Sequence, residues 1–437
     1  MPAALCVVAS CSAGQGPSAQ GAARPPGPAT AWHVGVVPLV RWPGPASASS
    51  VYDPDQPFTP QQIRTDYSMN ALYANGLTGQ GETIGIVDAY GSPTIKADLA
   101  SFDRIYSLPS PPSFKVVQPA GKVPPFNPDG VDRKGWAAET TLDVEWCHVM
   151  APGASIVLAE TPVDEVEGTS GFPQIVKAEK ALIDDYHVAV ISQSFGATEE
   201  TFPTAASLLA LRSAFVLAYS RHVTVLAASG DQGASGGTVS GGEYSEPVIG
   251  WPASDPLVTA VGGTAITVNS QGQQTAPPQV WNDSAGAGGG GVSESFPLPS
   301  WQDGVRAEVG AKRGIPDVSM LAACDPGVGI YESFSAPAGV ESICGTSLAT
   351  PLFAGVVAVA DQLHSGDLGL LNPALYKLGA SKAKGLRDVT RGNNSVTTTG
   401  GKLVVGYAAA KGYDLASGWG TIDAFYLVQE LAAKTVP

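Results

Sequence analysis

Short apolar runs alternate with helical segments along most of this chain, and this alternation limits the folds available to it. Residues 188–192 and 223–228 are rich in branched aliphatic side chains, as buried strands are. The predicted elements include strands at 83–88, 156–159, 188–192 and 223–228, and helices at 94–106, 175–183 and 205–218. Strands joined by helices form parallel sheets. We therefore expect an α/β fold, with a mostly parallel central sheet and helices on both faces.

The length of the chain and its apolar content predict one large domain behind a short leader. A chain of 437 residues with 44% hydrophobic residues can bury a large core. Neither an internal repeat nor a break in the alternation divides residues 51–437, so we expect them to form one domain. Residues 1–50 are rich in Ala, Pro, Gly and Ser, and this composition predicts a low-complexity, disordered leader.

A serine follows a tight glycine–threonine turn in the segment Cys344-Gly345-Thr346-Ser347-Leu348-Ala349-Thr350-Pro351. The apolar run at 351–363 is predicted to be a buried helix. Ser347 would then lie at a helix N-terminus, where free N–H groups and the helix dipole favour developing negative charge. A nucleophilic serine needs such a position. A serine that only caps the helix would have the same local sequence.

Two carboxylates four residues apart are candidates for the base that such a serine needs. Glu139 and Asp143 lie in the segment 136–150, whose apolar residues have helical spacing, so both side chains are predicted on one helix face. Carboxylates this close repel, so the pair keeps a proton and titrates as a unit. It can accept a proton from Ser347 at acidic pH, where a histidine is already charged. The alternative is a solvated acidic face, which the mostly apolar surroundings disfavour.

An aspartate follows the predicted strand 223–228 in the sequence Ser229-Gly230-Asp231. Ligands of open α/β sheets bind at the carboxyl ends of the strands. A protonated carboxyl there can donate a hydrogen bond to an oxyanion, whereas a carboxylate cannot. An ordinary turn aspartate is the alternative interpretation.

Together these motifs resemble the sedolisin family of serine-carboxyl peptidases, over the chain from about residue 52 to the C-terminus. The resemblance implies a subtilisin-like fold and an acid-active endopeptidase, a monomer that cleaves proteins or peptides through an acyl-enzyme. It also implies four roles: Ser347 as nucleophile, Glu139 as general base, Asp143 as the residue that orients Glu139, and Asp231 as the oxyanion donor.

Two further positions bear on the proton relay. Asp88 ends the predicted strand 83–88, where some family members have a glutamate that extends the relay, so Asp88 is a candidate neighbour of the acidic pair. A turn residue at a strand end is the alternative. Ser194-Phe195-Gly196 departs from the Ser-Trp-Gly common in the family, so a relay through an indole N–H is not available here.

Two aspartates in C-terminal loops are candidates for a metal site. Carboxylates and loop carbonyls are the hard oxygen ligands that Ca²⁺ prefers. The family resemblance implies one structural Ca²⁺ ion, with ligands at Asp388, Val389, Ala410, Gly412 and Asp414. Ala410 stands where glycine is usual. A backbone carbonyl ligand tolerates that change if the local dihedral angles suit alanine.

The net charge of −15 argues against nucleic-acid binding. No apolar run in the sequence is long enough to predict a membrane span. Residues 3–9 resemble a short signal-peptide core, and residues 8–11 a lipoprotein cleavage site. The leader therefore suggests an extracellular or cell-surface location.

Five cysteines leave at least one unpaired. Cys324 and Cys344 flank a segment predicted to form adjacent strands, so they can pair in an oxidising compartment. Cys147 and His148 are neighbours on the predicted helix 136–150 and point about 100° apart, which disfavours an ion pair between them. A buried free thiol is the simpler role for Cys147.

Two other functions remain open on the sequence. Asp88, His148 and Ser347 occur in the Asp-His-Ser order of a neutral subtilisin-like peptidase, but His148 lacks the expected Gly-Thr neighbours. The chain could also be a catalytically inactive secreted binding protein on the same scaffold, since the pro-domain usual in the family is not recognisable. The four intact residues of the proposed site argue against that alternative.

Overall fold

Helices and strands alternate through the part of the chain that the computed structural model describes, residues 40–42 and 56–433. In chain order the helices of this part are α1 (Pro60–Asp66), α2 (Met69–Tyr73), α3 (Ile95–Tyr106), α4 (Val131–Met150), α5 (Phe172–Asp184), α6 (Ala205–Leu209), α7 (Ser213–Arg221), α8 (Arg306–Val309), α9 (Thr346–His364), α10 (Asn372–Ala380) and α11 (Ala424–Ala432). Its strands are β1 (Val40–Trp42), β2 (Thr83–Ala89), β3 (Phe114–Val117), β4 (Ser155–Thr161), β5 (Val190–Gln193), β6 (Ala197–Thr198), β7 (Thr224–Ala228), β8 (Gly250–Trp251), β9 (Thr259–Val268), β10 (Gln274–Val280), β11 (Gly291–Pro297), β12 (Lys312–Ile315), β13 (Val318–Leu321), β14 (Val328–Glu332), β15 (Gly339–Ile343), β16 (Leu386–Arg387), β17 (Val396–Thr397), β18 (Leu403–Val404) and β19 (Thr421–Ile422).

The central sheet has eight strands, seven of them in the order β10-β9-β7-β5-β2-β4-β3, and the eighth, β13, also pairs with β9. All of its pairings are parallel except that of β10 with β9. The expected mostly parallel sheet is therefore confirmed. Because the strands run the same way, the carboxyl ends of β2, β5 and β7 lie at one edge.

Both faces of this sheet are covered, as a parallel sheet requires. The pleat of β2 directs Ile84 and Ile86 into one buried cluster, together with residues of α3, α4, α9 and α11. Val87 and Ala89 belong to a second cluster, with residues of α5 and α7. Successive residues of one strand thus anchor helices on opposite sides.

Helix α9 is the central helix of the first cluster. Every residue from Thr346 to Asp361 is buried. Among the described helices it is the one long and apolar enough to cross a membrane, but its apolar stretch is almost wholly enclosed by the rest of the molecule. Burial in a protein core accounts for that composition.

A small antiparallel sheet lies outside the central one, in the order β1-β15-β14. Its first strand, β1, falls within the predicted leader, the remainder of which lies outside the described residues. The segments that resemble a signal peptide and a lipoprotein site, residues 3–11, also lie outside them.

Two predicted helices differ from the structure. Residues 205–218 form two helices, α6 and α7, because the chain turns at Ala210–Arg212. The turn allows the Arg212 guanidinium to form two hydrogen bonds to the buried Asp255 carboxylate, at 2.5 and 2.8 Å. The second difference is at α9, which begins at Thr346 rather than at Pro351.

Candidate active site

The predicted site residues lie where strand ends and two helices meet. Asp88 is the penultimate residue of β2, and Asp231 lies in the loop after β7. Glu139 and Asp143 lie on α4, and Ser347 is the second residue of α9. Helices α4 and α9 pack directly against each other. The fold therefore brings together residues from four separate elements.

Ser347 is buried at the start of α9, and its hydroxyl forms a hydrogen bond with the Glu139 carboxyl. The turn before it depends on Gly345, whose φ is +111°. A β-carbon at this position would lie 2.5 Å from Asp231 Oδ2. Glycine thus provides both the backbone conformation and the space that the turn needs.

Glu139 and Asp143 are one helical turn apart and both buried, as the i, i+4 spacing predicts. Burial, the Asp143 charge and the Asp88 charge raise the pKa of Glu139 well above its usual range, although the Ser347 hydroxyl opposes the shift. Burial and the Asp88 charge do the same to the pKa of Asp143. The pair therefore retains a proton at pH values where a surface carboxyl has lost it.

Ser194, which the sequence did not single out as a site residue, connects the acidic pair to Ser347. Its Oγ lies 2.9 Å from Asp143 Oδ1 and 3.3 Å from the Ser347 carbonyl oxygen. That carbonyl would ordinarily accept the N–H of residue 351, but Pro351 has none. Both contacts of Ser194 are satisfied together when Asp143 is protonated and donates to Ser194.

Asp231 is held beside the start of α9 by Thr346, a second residue to which the sequence assigned no role. Its Oδ1 accepts hydrogen bonds from the Thr346 N–H and hydroxyl, both at 2.7 Å. Burial raises the pKa of Asp231 to about 6, while the two bonds from Thr346 oppose the shift. With Oδ1 occupied, Oδ2 is the oxygen that can carry a proton towards a ligand at Ser347.

Asp88 is fully buried near the pair. Burial raises its pKa to about 7, the nearby Thr140 hydroxyl opposes the shift, and the charges of Glu160 and Glu165 add to it. Asp88 in turn raises the pKa of both Glu139 and Asp143. Phe195 is buried among apolar residues, so the position of the missing tryptophan supplies no hydrogen-bond donor.

The histidine of the neutral alternative lies elsewhere. His148 Nε2 is 3.2 Å from Asp103 of α3 and 2.7 Å from the Pro109 carbonyl oxygen. Its partners are thus on α3 and the loop after it, and no Asp–His–Ser constellation with Asp88 and Ser347 is formed. The hypothesis of a histidine-dependent site is wrong.

The described cysteines behave as the sequence suggested. Cys324 and Cys344 form a disulfide, which ties the residue before the Gly345 turn to the chain after β13. Cys147 is a buried free thiol on α4. Its hydrogen-bond contact is the Val144 carbonyl within the same helix.

The predicted calcium ligands lie on two loops that contact each other. Asp388 Oδ2 accepts the Gly412 N–H at 3.1 Å, and Asp414 Oδ2 accepts the Ala410 N–H at 2.8 Å. The described residues contain no cluster of three or more His, Cys, Asp or Glu side chains that could hold a metal. An ion here would need backbone carbonyls besides the two carboxylates. This all-oxygen donor set fits Ca²⁺.

Comparisons with known proteins agree with this geometry. The subtilase family profile matches residues 134–377, more than half of the chain. Kumamolisin from Bacillus sp. (strain MN-32) is 34% identical over 386 residues, which cover 86% of this chain and 63% of kumamolisin. Sedolisin from Pseudomonas sp. (strain 101) is 32% identical over 356 residues, which cover 79% of this chain and 57% of sedolisin. The chain therefore spans about three fifths of the length of these curated relatives.

A solved structure extends the likeness to three dimensions. Pseudomonas sedolisin, a serine-carboxyl proteinase complexed with two molecules of pseudo-iodotyrostatin, superimposes with a TM-score of 0.70 at 28% identity, covering 87% of this chain and 99% of that one. The chain belongs to the subtilase family and, within it, to the sedolisins.

Proposed function

We propose that this chain is an acid-active serine-carboxyl endopeptidase, with residues 51–437 as its peptidase domain. The observation that carries the proposal is the hydrogen bond between the Ser347 hydroxyl and the buried Glu139 carboxyl. Serine needs a base to become a nucleophile, and Glu139 is the group in contact with it. Membership in the sedolisins supports the same reaction class.

The reaction is acyl transfer to Ser347 and then to water. Ser347 Oγ attacks the carbonyl carbon of the scissile peptide bond while Glu139 takes the hydroxyl proton. The carbonyl oxygen becomes an oxyanion, which accepts hydrogen bonds from Asp231 Oδ2 and the Ser347 N–H. Glu139 then returns the proton to the leaving amine as the C–N bond breaks. Water attacks the resulting ester by the same steps and releases Ser347.

The pKa values of these groups predict an acidic working range. Asp231 donates to the oxyanion only while protonated, and its pKa is about 6. As pH rises through that value, the carboxylate that forms repels the oxyanion and the rate falls. Asp143 and Asp88 keep protons in the same acidic range, so a negative charge that forms on Glu139 is not opposed by two more.

The central experiment is cleavage of a long peptide blocked at both termini, at pH 4. A blocked peptide is cut only by an endopeptidase. Ser347→Ala removes the nucleophile and should lower kcat roughly 10⁴-fold or more, with an unchanged circular dichroism spectrum. Turnover by this variant at the wild-type rate would refute the proposal.

The same assay tests the oxyanion donor. Asp231→Asn replaces a donor that titrates with an amide that donates at every pH. We expect a lower rate at pH 4 and a weaker decline between pH 5 and pH 7 than in the wild type. A variant whose pH profile matches the wild type would assign another group to the decline.

We also propose one structural Ca²⁺ ion, held by the carboxylates of Asp388 and Asp414 and the carbonyls of Val389, Ala410 and Gly412. Bound calcium would neutralise the two carboxylates and fix their loops. Binding to the folded state raises the free energy of unfolding by about 2.7 kcal/mol at a hundred times the Kd. Calcium should therefore raise Tm at pH 6, less so at pH 4, where protons compete.

Asp388→Asn tests this site without touching Ser347, and Asp303→Asn, on an exposed 3-10 turn, is the matched control. The first should abolish the calcium-dependent rise in Tm and the second should preserve it. A wild-type Tm that responds neither to calcium nor to a chelator would leave the aspartates as turn residues.

An extracellular or cell-surface location completes the proposal, with the enzyme acting as a monomer on protein or peptide substrates. The Cys324–Cys344 disulfide supports an oxidising compartment, since such bonds are rare in a reducing cytosol. Fractionation of the producing cells, with thiol labelling before and after reduction, tests this. Protein confined to the cytosol with both thiols free would contradict it.

A further inference from the structure

A cavity of about 60 Å³ opens beside Asp231. Its lining includes Ser229, Gly230 and Asp231 after β7, and Gly196, Ala197 and Thr198 after β5. A carbonyl attacked by Ser347 must present its oxygen to Asp231, so the side chain on the acyl side of that peptide bond lies against the same turn. The cavity is therefore where that side chain enters.

The cavity is narrow and glycine-lined. At the roughly 30 Å³ that each water occupies in the liquid, it has the volume of about two water molecules, which is room for the end of a slender side chain rather than for an indole. Gly236 and Gly250 are among its wall residues. A β-carbon on Gly236 would lie 2.6 Å from Thr198 Oγ1, so the glycine keeps this space open.

One wall residue besides Asp231 is ionisable, and it is Glu167. Its Oε2 accepts hydrogen bonds from the Thr198 N–H at 2.8 Å and the Thr201 hydroxyl at 3.0 Å. Its Oε1 lies 3.3 Å from Thr198 Oγ1, a longer contact. The carboxyl is thus fixed in position, and Oε1 has capacity for another donor. None of the wall residues is basic.

We propose that Glu167 selects the residue on the acyl side of the scissile bond: the cavity takes a long unbranched side chain, and Glu167 increasingly favours lysine or arginine over a neutral chain of similar length as pH rises. The inference rests on the proposed peptidase function. It assigns to the same site a substrate class, peptides with a basic residue before the cleaved bond.

The direction of the pH effect follows from the surroundings of Glu167. Burial raises its pKa to about 7, the hydrogen bonds from Thr198 and Thr201 oppose the shift, and the Glu165 charge adds to it. Further ionisable groups on this side of the cavity are also acidic: Asp231 across the cavity, and Tyr244, whose pKa is raised by the charges of Glu200, Glu167 and Glu246. The carboxyl is therefore mostly neutral at pH 4 and gains charge towards pH 7, which strengthens its attraction for a cation.

The test uses two peptides that differ only in the residue before the cleaved bond, lysine in one and glutamine in the other. The measured quantity is the ratio of their kcat/KM values between pH 4 and pH 7. Loss of catalytic power with pH affects both peptides and cancels in this ratio. In the wild type we expect the lysine-to-glutamine ratio to rise about tenfold, as a gain of about 1.4 kcal/mol would give.

Glu167→Gln should give a ratio that does not vary with pH, while its cleavage of the glutamine peptide verifies that it is folded. Glu167→Asp keeps the carboxylate but places it one methylene farther from the substrate side chain, so the lysine-to-glutamine ratio should still rise with pH, but by less. Glu200→Gln is the matched control, because the pKa of Glu200 is also raised to about 7 and Glu200 is not a wall residue. Its ratio should rise as in the wild type.

Three results would overturn the inference. They are a constant ratio in the wild type, a rise that persists in Glu167→Gln, and a rise that is lost in Glu200→Gln. Failure of the wild type to cleave either peptide at any pH would instead count against the proposed function, so the two ideas fail in different ways.

Discussion

The molecule buries acidic side chains in two contrasting ways. Around α4, Glu139, Asp143 and Asp88 lie close together, and the charges that act on Glu139 are those of other carboxylates. Near β12, Asp317 is equally buried but faces Arg313, whose guanidinium forms two hydrogen bonds to it at 2.8 and 2.6 Å. The second site contains its own cation, and the first does not.

This difference separates a buried carboxylate whose charge is compensated from buried carboxyls whose protonation changes with pH. With a buried cation beside it, and with further hydrogen bonds from the Ala260 N–H and the Tyr376 hydroxyl, Asp317 has a charge that the fold itself compensates. The acids around α4 keep protons because ionisation is costly there. Their protonation therefore depends on pH, which is what proton transfer to and from a substrate requires.

The largest effect should come from Glu139→Gln. The amide cannot accept the Ser347 proton, so kcat/KM at pH 4 should fall roughly 10⁴-fold. The Tm at pH 7 should stay equal or rise, because a buried ionisable group is removed. Glu145→Gln is the control, since Glu145 is buried on the same helix but bonds to the Tyr331 N–H instead. Equal loss of activity in both variants would point to damage to α4.

Arg313→Met should instead lower the stability of the protein. It leaves the Asp317 charge buried without its cation, which typically costs about 3–5 kcal/mol in free energy of unfolding. Urea denaturation at pH 5 measures this loss, and Arg306→Met provides a contrast. The Arg306–Asp303 pair is 60% and 59% exposed, so its loss should cost less than about 1 kcal/mol. Similar costs for the two variants would remove the distinction between the regions.

A smaller, distributed effect concerns stability and pH. Burial raises the pKa of Asp66 to about 6, of Asp88 to about 7 and of Glu179 to about 8. The folded state thus binds more protons than the unfolded state from about pH 4 upwards. The stabilisation that these protons give is complete below the pKa values of the unfolded chain. It is lost as pH rises through the pKa values of the folded state, and the free energy of unfolding falls by about 1.4 kcal/mol per pH unit for each such proton.

Thermal denaturation with chelator present, from pH 4 to pH 8, should therefore give a falling Tm. Glu179→Gln should make the decline shallower by removing one of these protons, without affecting the site at Ser347. A Tm that rises towards pH 8 would mean that the buried acids are ionised at little cost.

The sequence alone could predict the candidate site residues, but not the residues that hold them in place. Ser347, Glu139 and Asp143 follow from local patterns, a glycine turn before an apolar helix and an i, i+4 spacing, and the strands and helices of the sheet follow from periodicity. Ser194 could not be found in this way, because it meets Ser347 only across 153 residues of chain. Glu167 could not be found either, because only the folded chain brings it into contact with Thr198 and into the wall of the cavity.

The proline inside α9 has a mechanical consequence. A residue in the first turn of a helix normally moves with that helix, and helix ends fray. Pro351 has no N–H to donate to the Ser347 carbonyl, and the hydroxyl of Ser194, the residue after β5, contacts that carbonyl. Ser347 is therefore tied to the chain after β5 as well as to its own helix, which limits how far the start of α9 can move relative to the central sheet.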